Sequence, residues 1–210
     1  MKCRIYGDRG VLLSSLSEAE RSRLLHRVES GLPPACDEYV LGYDSILLIG
    51  AQTIAVQEWL EQTNGTEVRA IKPSGCRIIE VDYTGADLDS VAQACNLTVT
   101  EVIELHSAPV YTVRMMGFSP GFPYLDGLDP RLHLDRRSSP RDHILPGTVA
   151  IGGAHAGIYS VASPGGWHLL GHTELNLFNL DAARDLDPDP AQVFALSVGQ
   201  RIRFQPMSTP

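Results

Sequence analysis

The spacing of apolar positions changes several times along the first third of the chain. A short apolar run, Cys3 to Tyr6, gives way to Glu18 to Ser30, where Leu24, Leu25 and Val28 fall on one side at helical spacing. A second apolar run, Glu38 to Ile49, precedes another helical segment, Thr53 to Gln62, with Val56, Trp59 and Leu60 on one side. Apolar runs alternating with amphipathic helices predict a small α+β domain whose helices carry core positions and no site. Turn residues in Lys72-Pro73-Ser74-Gly75 and the new apolar run from Cys76 to Val81 predict a boundary, with one domain over residues 1–75 and a second over 76–210.

The second domain opens with two short helices, Asp87 to Ala94 and Val99 to Ser107. Thr98 followed by Glu101 is a capping-box pattern at the start of the second. From Pro109 the texture becomes β. Tyr111 to Met115, Thr148 to Gly152, Gly157 to Ala162, Trp167 to Thr173 and Arg201 to Gln205 read as short strands between Gly and Pro clusters. Many short strands with glycine-rich corners predict a barrel or sandwich. Leu186 to Pro190 reads as a polar loop, and Met207 to Pro210 is expected to fray.

Composition narrows the class. A chain of 210 residues, 43% of them hydrophobic, is long enough to bury a core. Met1 to Asp8 lacks the apolar stretch of a leader and no segment approaches the roughly 20 apolar residues of a membrane span, so a cytoplasmic protein without membrane contact is expected. Cys3, Cys36, Cys76 and Cys95 lie far apart with no C-x-x-C pair, which predicts buried thiols rather than a metal site. The net charge is −8, and no Lys or Arg stands between Arg77 and Arg114 while Glu80, Asp82, Asp87, Asp89, Glu101 and Glu104 do. Such a stretch repels phosphate, so nucleic acid is excluded as a partner and the helix-turn-helix outline of the two helices carries no DNA-binding meaning.

Several motifs imitate chemistry. Gly117-Phe118-Ser119-Pro120-Gly121 fits the G-x-S-x-G elbow, but the residue after the serine must donate a backbone N–H, and Pro120 has none. Gly166 to Thr173 has P-loop spacing with His172 in the lysine position, yet Trp167 to Leu170 is an apolar run that suits a strand. On a strand, His168 and His172 are separated by about 13 Å, too far to share a metal. No metal ligand set is expected. Arg131, Arg136, Arg137 and Arg141 are interspersed with Asp129, Asp135 and Asp142; the segment reads either as a self-paired loop or as an anion-binding element led by Arg141, which Pro140 stiffens. Phe118, Phe122, Tyr124, Tyr159 and Trp167 flank glycine-rich corners. Paired glycines such as Gly165-Gly166 permit close approach of a ligand or partner, and the expected place for a site is the barrel mouth.

Taken together, Gly117-Phe-Ser-Pro-Gly-Phe-Pro-Tyr-Leu125, Ser163-Pro-Gly-Gly-Trp167, Val198-Gly-Gln-Arg-Ile-Arg-Phe204 and Glu101-Val-Ile-Glu-Leu-His106 resemble the allophanate hydrolase subunit 1 family over nearly the whole chain. The resemblance implies an α+β N-terminal domain and an all-β, cyclophilin-like barrel C-terminal domain. It also implies work as the B-type subunit of an ATP-dependent 5-oxoprolinase, which phosphorylates the lactam oxygen of 5-oxoproline and opens the ring to glutamate. ATP, with magnesium as a candidate companion ion, would enter through the complex. A subunit 2 type partner and a third 5-oxoprolinase subunit would complete it, and the chain would be inactive alone. Two alternatives belong to the same family: a Kip-type inhibitor of a sensor histidine kinase, and a urea-carboxylase-like carboxyltransferase subunit.

Under this resemblance Arg141, His155 and His172 are the expected catalytic residues, with Arg141 clamping a carboxylate or phosphate and the histidines polarising or moving protons. Phe118, Pro120, Gly121, Phe122, Tyr124, Gly165, Gly166, Trp167 and Thr173 are the expected substrate contacts. Three positions depart from the family pattern: His172 replaces the arginine of a Gly-Arg-Thr step, His155-Ala156 replaces Gln-Thr, and Asp135 replaces a proline. Imidazoles at such places make an anion contact sensitive to pH near neutrality.

Overall fold

The computed structural model describes residues 1–61 and 75–207. The expectations for Gln62, for the Lys72-Pro73-Ser74 part of the boundary and for residues 208–210 lie outside the described residues. Contacts divide the chain into two units, Met1–Lys72 and Pro73–Pro210.

The first unit runs β1 (Lys2–Tyr6), β2 (Gly10–Ser14), α1 (Glu18–Ser30), β3 (Glu38–Leu41), β4 (Ile46–Ile49) and α2 (Thr53–Glu61). Its strands form an antiparallel sheet in the order β1-β2-β4-β3. Ser17 and Glu20 form a capping box at the start of α1, and the Gly31 N–H closes the helix on Arg27. Leu24, Leu25 and Val28 are buried as their spacing predicts, and the Arg27 guanidinium lies 3.8 Å from the Trp59 ring centre on α2. The single apolar run expected from Glu38 to Ile49 is two strands, because the Gly42 N–H donates to the Ser45 carbonyl at 2.9 Å and turns the chain between them.

The second unit begins with β5 (Arg77–Val81), α3 (Leu88–Cys95) and α4 (Val99–Ser107). Strands β6 (Tyr111–Met116), β7 (Pro123–Asp126), β8 (Arg141–Ile144), β9 (Thr148–Gly152), β10 (His155–Ile158), β11 (Ser163–Gly165) and β12 (His168–His172) follow. The short α5 (Pro190–Val193) and β13 (Arg201–Pro206) end it. Thr98 caps α4 with both halves of the box it forms with Glu101, and α3 ends where Asn96 turns left-handed at φ 55°. Seven strands form one sheet in the order β12-β9-β10-β7-β6-β13-β5, with only the β13–β5 pair parallel.

The two edges of that sheet meet. Asp82, just after β5, and His172, ending β12, exchange N–H···O bonds of 2.8 Å in each direction. The Gly85 and Asp87 N–H groups continue the seam onto the Leu170 and Leu169 carbonyls at 3.0 Å each. Pairing both edges removes the exposed donors and acceptors an open sheet would present, and the result is a barrel. Its interior holds Val81, Val113, Leu125, Val149, Ile151, Ile158, Leu170, Ile202 and Phe204.

The cysteines depart from expectation. All four are free, Cys76 is exposed and the others are half-buried. Cys3 lies on the edge strand β1, Cys95 ends α3 and Cys76 sits just ahead of β5, so all three occupy the margins of elements rather than core positions.

Candidate functional site

Alternation along β9 creates two different environments. Val149 and Ile151 point into the barrel, whereas Ala150 and Gly152 face outward. On that outer wall Phe122, Ile144, Ala150, Tyr159 and Trp167 form a second buried cluster, with Tyr124 and Leu169 packed against it. The rings meet edge to face: Phe122 lies 5.5 Å from Trp167 and 5.3 Å from Tyr159, and Tyr124 lies 5.7 Å from Trp167. These are favourable quadrupolar arrangements.

Two glycines make the layer possible. A Cβ on Gly152 would come within 2.8 Å of the Trp167 ring, so the missing side chain lets the indole lie on the strand. A Cβ on Gly165 would strike the Tyr159 hydroxyl. The aromatic corners therefore pack together on the outside of the barrel wall, where they form the candidate site. These residues stand on the outer wall and not at the expected mouth, because strand alternation turns Tyr124, Ala150 and Leu169 away from the interior that Leu125, Ile151 and Leu170 fill.

A charged rim borders the cluster. Asp87 is buried at the entry to α3, and its Oδ1 accepts from Arg141 Nη2 at 2.7 Å and Arg137 Nη1 at 3.0 Å. Its Oδ2 accepts the Leu169 N–H at 2.8 Å. Burial by itself raises this carboxyl. The hydrogen bonds from Arg141 and Leu169 and the charges of Arg141 and Arg137 outweigh that and hold it below the usual carboxylate range. Arg141 pairs with Gly165 across the β8–β11 ladder, and the Arg137 N–H donates to the Gly166 carbonyl at 2.7 Å. Arg136 is exposed, its guanidinium 5.7 Å from the Trp167 ring centre. Burial pushes the Tyr159 hydroxyl up, while the Trp167 N–H and the charges of Arg136 and Arg141 partly oppose the rise.

His155 flanks this layer. Its Nδ1 is 3.0 Å from Asp126 Oδ1, Arg114 Nε is 3.8 Å from the other oxygen, and its ring centre is 6.3 Å from that of Tyr124. His172 is elsewhere. On β9, His155 is paired with Gly152 and His172 with Thr148, a separation of about 13 Å along the strand at about 3.3 Å per residue. His172 Nε2 faces the Pro146 carbonyl at 3.1 Å, and its Nδ1 is 3.6 Å from Glu174. Thr173 is buried beside it, donating its N–H to the Gly147 carbonyl, and borders a separate cavity of about 340 Å³.

The expected residues thus fall into groups. Arg141, Phe122, Tyr124, Gly165, Gly166 and Trp167 come together, with His155 beside them. Phe118, held at φ 72° and 61% exposed, packs edge-on against Phe122 and Tyr159 and leads into an apolar groove of about 980 Å³ that Pro120 and Gly121 also line. His172 and Thr173 are not part of either. Ser119 sits in the β6–β7 hairpin, where the Phe122 N–H closes on the Ser119 carbonyl, and its hydroxyl is 3.3 Å from that of Ser160. That is a turn between strands and not a nucleophile elbow. Among the described residues no three His, Cys, Asp or Glu side chains converge as a metal site.

Asp87 and Asp126 are placed here by the structure without having been expected, whereas Arg136 and Arg137 come from the arginine segment that the sequence offered as either a self-paired loop or an anion-binding element. Asp87 reads in the sequence as the first residue of a helix and an acidic position in a stretch without Lys or Arg, and its partners are 50 and 54 positions away. Only strand register and barrel closure bring them together.

Residues 1–186 match the family described as carboxyltransferase domain, subdomain C and D. The chain is 37% identical to the B-type subunit of 5-oxoprolinase from Escherichia coli O157:H7, with 98% of this chain and 95% of that protein aligned. The crystal structure of TTHA0988 superposes with a TM-score of 0.79 at 31% identity; it covers 96% of this chain, which spans only 41% of that longer one. Urea amidolyase of K. lactis superposes with a TM-score of 0.68 at 20% identity, covering 98% of this chain and 15% of that one, a likeness of fold alone.

Proposed function

This chain belongs to the carboxyltransferase subdomain C and D family, as its resemblance to allophanate hydrolase subunit 1 implied, and on that premise we propose that it is the B-type subunit of an ATP-dependent 5-oxoprolinase. The observation that carries the reading is the end-to-end likeness to the Escherichia coli protein. A subunit 2 type protein and a third subunit complete the enzyme, and ATP with its magnesium enters through that assembly. Strand β12 occupies the segment with P-loop spacing, so the phosphates of ATP have no loop to rest on there.

The chemical problem is amide stability. Resonance gives the lactam C–N bond a rotation barrier of about 18–20 kcal/mol and makes its carbonyl a poor electrophile. Transfer of the γ-phosphoryl group of ATP to the lactam oxygen, with ADP leaving, would remove that resonance; water then adds to the carbon, inorganic phosphate leaves, and the C–N bond breaks with the nitrogen taking a proton, which gives glutamate. On this chain the half-buried Tyr124, backed by the buried Trp167, packs the small ring, the guanidinium of Arg141 or Arg136 holds an oxyanion, and His155, steadied by Asp126, moves a proton. The partner covers the open side of the outer wall and excludes water. His172 and Thr173 take no part in that pocket.

The test is reconstitution. The chain is purified with its subunit 2 type and third subunits, and glutamate is measured from 5-oxoproline plus ATP. Glutamate from the assembly and none from the chain alone is the expected result. An intact assembly that forms no glutamate contradicts the proposal.

A further inference from the structure

Two arginines share one buried carboxylate in this protein, and the arrangement is not self-sufficient. Asp87 neutralises one positive charge, while Arg137 and Arg141 bring two and Arg136 stands exposed over Trp167 as a third. Arg141 Nη1 and Arg137 Nε are shielded from solvent and have no hydrogen-bond partner. Unsatisfied guanidinium donors are costly, and a surplus of partly buried positive charge adds to that cost. An aliphatic pair would close the same seam between α3 and β12 without either penalty. The neighbouring backbone points the same way: the Gly166 carbonyl fixes the Arg137 amide, and the Gly165–Arg141 pairing fixes the other. Both guanidiniums are thus held at the corner beside the aromatic wall, each with part of its side chain open to solvent.

We propose that Asp87 is a positioning residue that presents Arg137 and Arg141 together as the receptor for an oxyanion, the carboxylate or phosphoryl group of the small acid this chain handles. The inference rests on the 5-oxoprolinase reading for the identity of that acid, but not for the existence of the receptor. A carboxylate placed between two cations keeps both in fixed rotamers, so that no ordering of long side chains is needed when the ligand arrives. The anion then offsets the charge that Asp87 leaves uncompensated.

The test uses the assembled enzyme carrying Asp87→Asn, which keeps the shape and removes the charge. An Asp87→Glu variant, which keeps the charge but displaces the two guanidiniums, serves where the first change does not fold. Calorimetry measures binding of 5-oxoproline, of 2-pyrrolidinone, which has the same ring without the carboxylate, and of inorganic phosphate; steady-state assays separate KM from kcat. The expected result is a loss of roughly tenfold or more in affinity for one anion, with 2-pyrrolidinone unaffected and kcat changed far less than KM. Loss for 5-oxoproline assigns the carboxylate, and loss for phosphate assigns the phosphoryl group. Unchanged binding of both anions in a folded variant, with only the melting temperature lowered, overturns the proposal. Calorimetry with phosphate reads the receptor even if the wild-type assembly forms no glutamate, so failure of the functional reading is distinguishable from failure of this one.

Discussion

The inner and outer faces of β9 are made of the same five residues, yet they are two different kinds of surface. Inward, Val149 and Ile151 join an aliphatic core in which most side chains are wholly buried. Outward, Ala150 and Gly152 are small, and the space they leave is filled by aromatic rings bordered by Arg136, Asp87, Asp126 and His155. A core needs only volume and apolarity. The outer wall spends glycines, strained Phe118 and imperfectly satisfied arginines on a surface that a simpler sequence would cover more stably, and that contrast is what makes it the candidate site. The contrast predicts that inner substitutions act on stability and outer ones on turnover.

The largest effect is expected from Gly152→Val. Its side chain would occupy the place of the Trp167 ring, expelling the indole and reducing glutamate formation by the assembled enzyme on the order of 100-fold, with a native circular dichroism spectrum. The mirror experiment is Ile151→Ala. It should cost about 2–5 kcal/mol in denaturant unfolding and leave kcat/KM near the wild-type value at low temperature. A loss of turnover equal to that of Gly152→Val would erase the distinction between faces.

Acidification provides a third comparison. His106 is fully buried, stacked on Phe204 at 4.6 Å with Nδ1 2.7 Å from the Tyr83 hydroxyl, and burial lowers its pKa from 6.5 to about 3. The unfolded chain binds this proton where the folded one does not. Its contribution is therefore complete above 6.5 and is lost as pH falls toward 3. Asp87, also depressed, adds a loss at the acid end of the same window, below its unfolded value. Calorimetric melting temperatures should fall steadily from pH 7 to pH 4; a flat profile would contradict the His106 assignment. The smallest effect should come from Thr98→Ala, which removes the cap of α4 and costs about 1 kcal/mol in denaturant unfolding, with no change in turnover.

What was legible in the sequence follows from how local each feature is. Helix α1 and the Thr98–Glu101 cap are set by neighbours within four positions, and strands β9 and β12 by their own apolar residues. Strands β7, β8 and β11 are short, carry Pro or charge, and exist because partners elsewhere pair with them. The aromatic corner motifs were legible as a set, but their side of the wall depends on register, which no single segment encodes. His172 and His155 look equivalent as departures from the family pattern, and only the ladder positions on β9 separate them. The Asp87 cluster depends on barrel closure at Asp82 and His172, a contact between residues 90 positions apart.

Whether the outer wall of the barrel carries the reaction is tested most directly by glutamate formation from 5-oxoproline and ATP in an assembly carrying Trp167→Leu, measured where the variant remains folded and assembled. The predicted result is a fall in turnover of roughly two orders of magnitude. Turnover at the wild-type rate would place the chemistry elsewhere on the molecule.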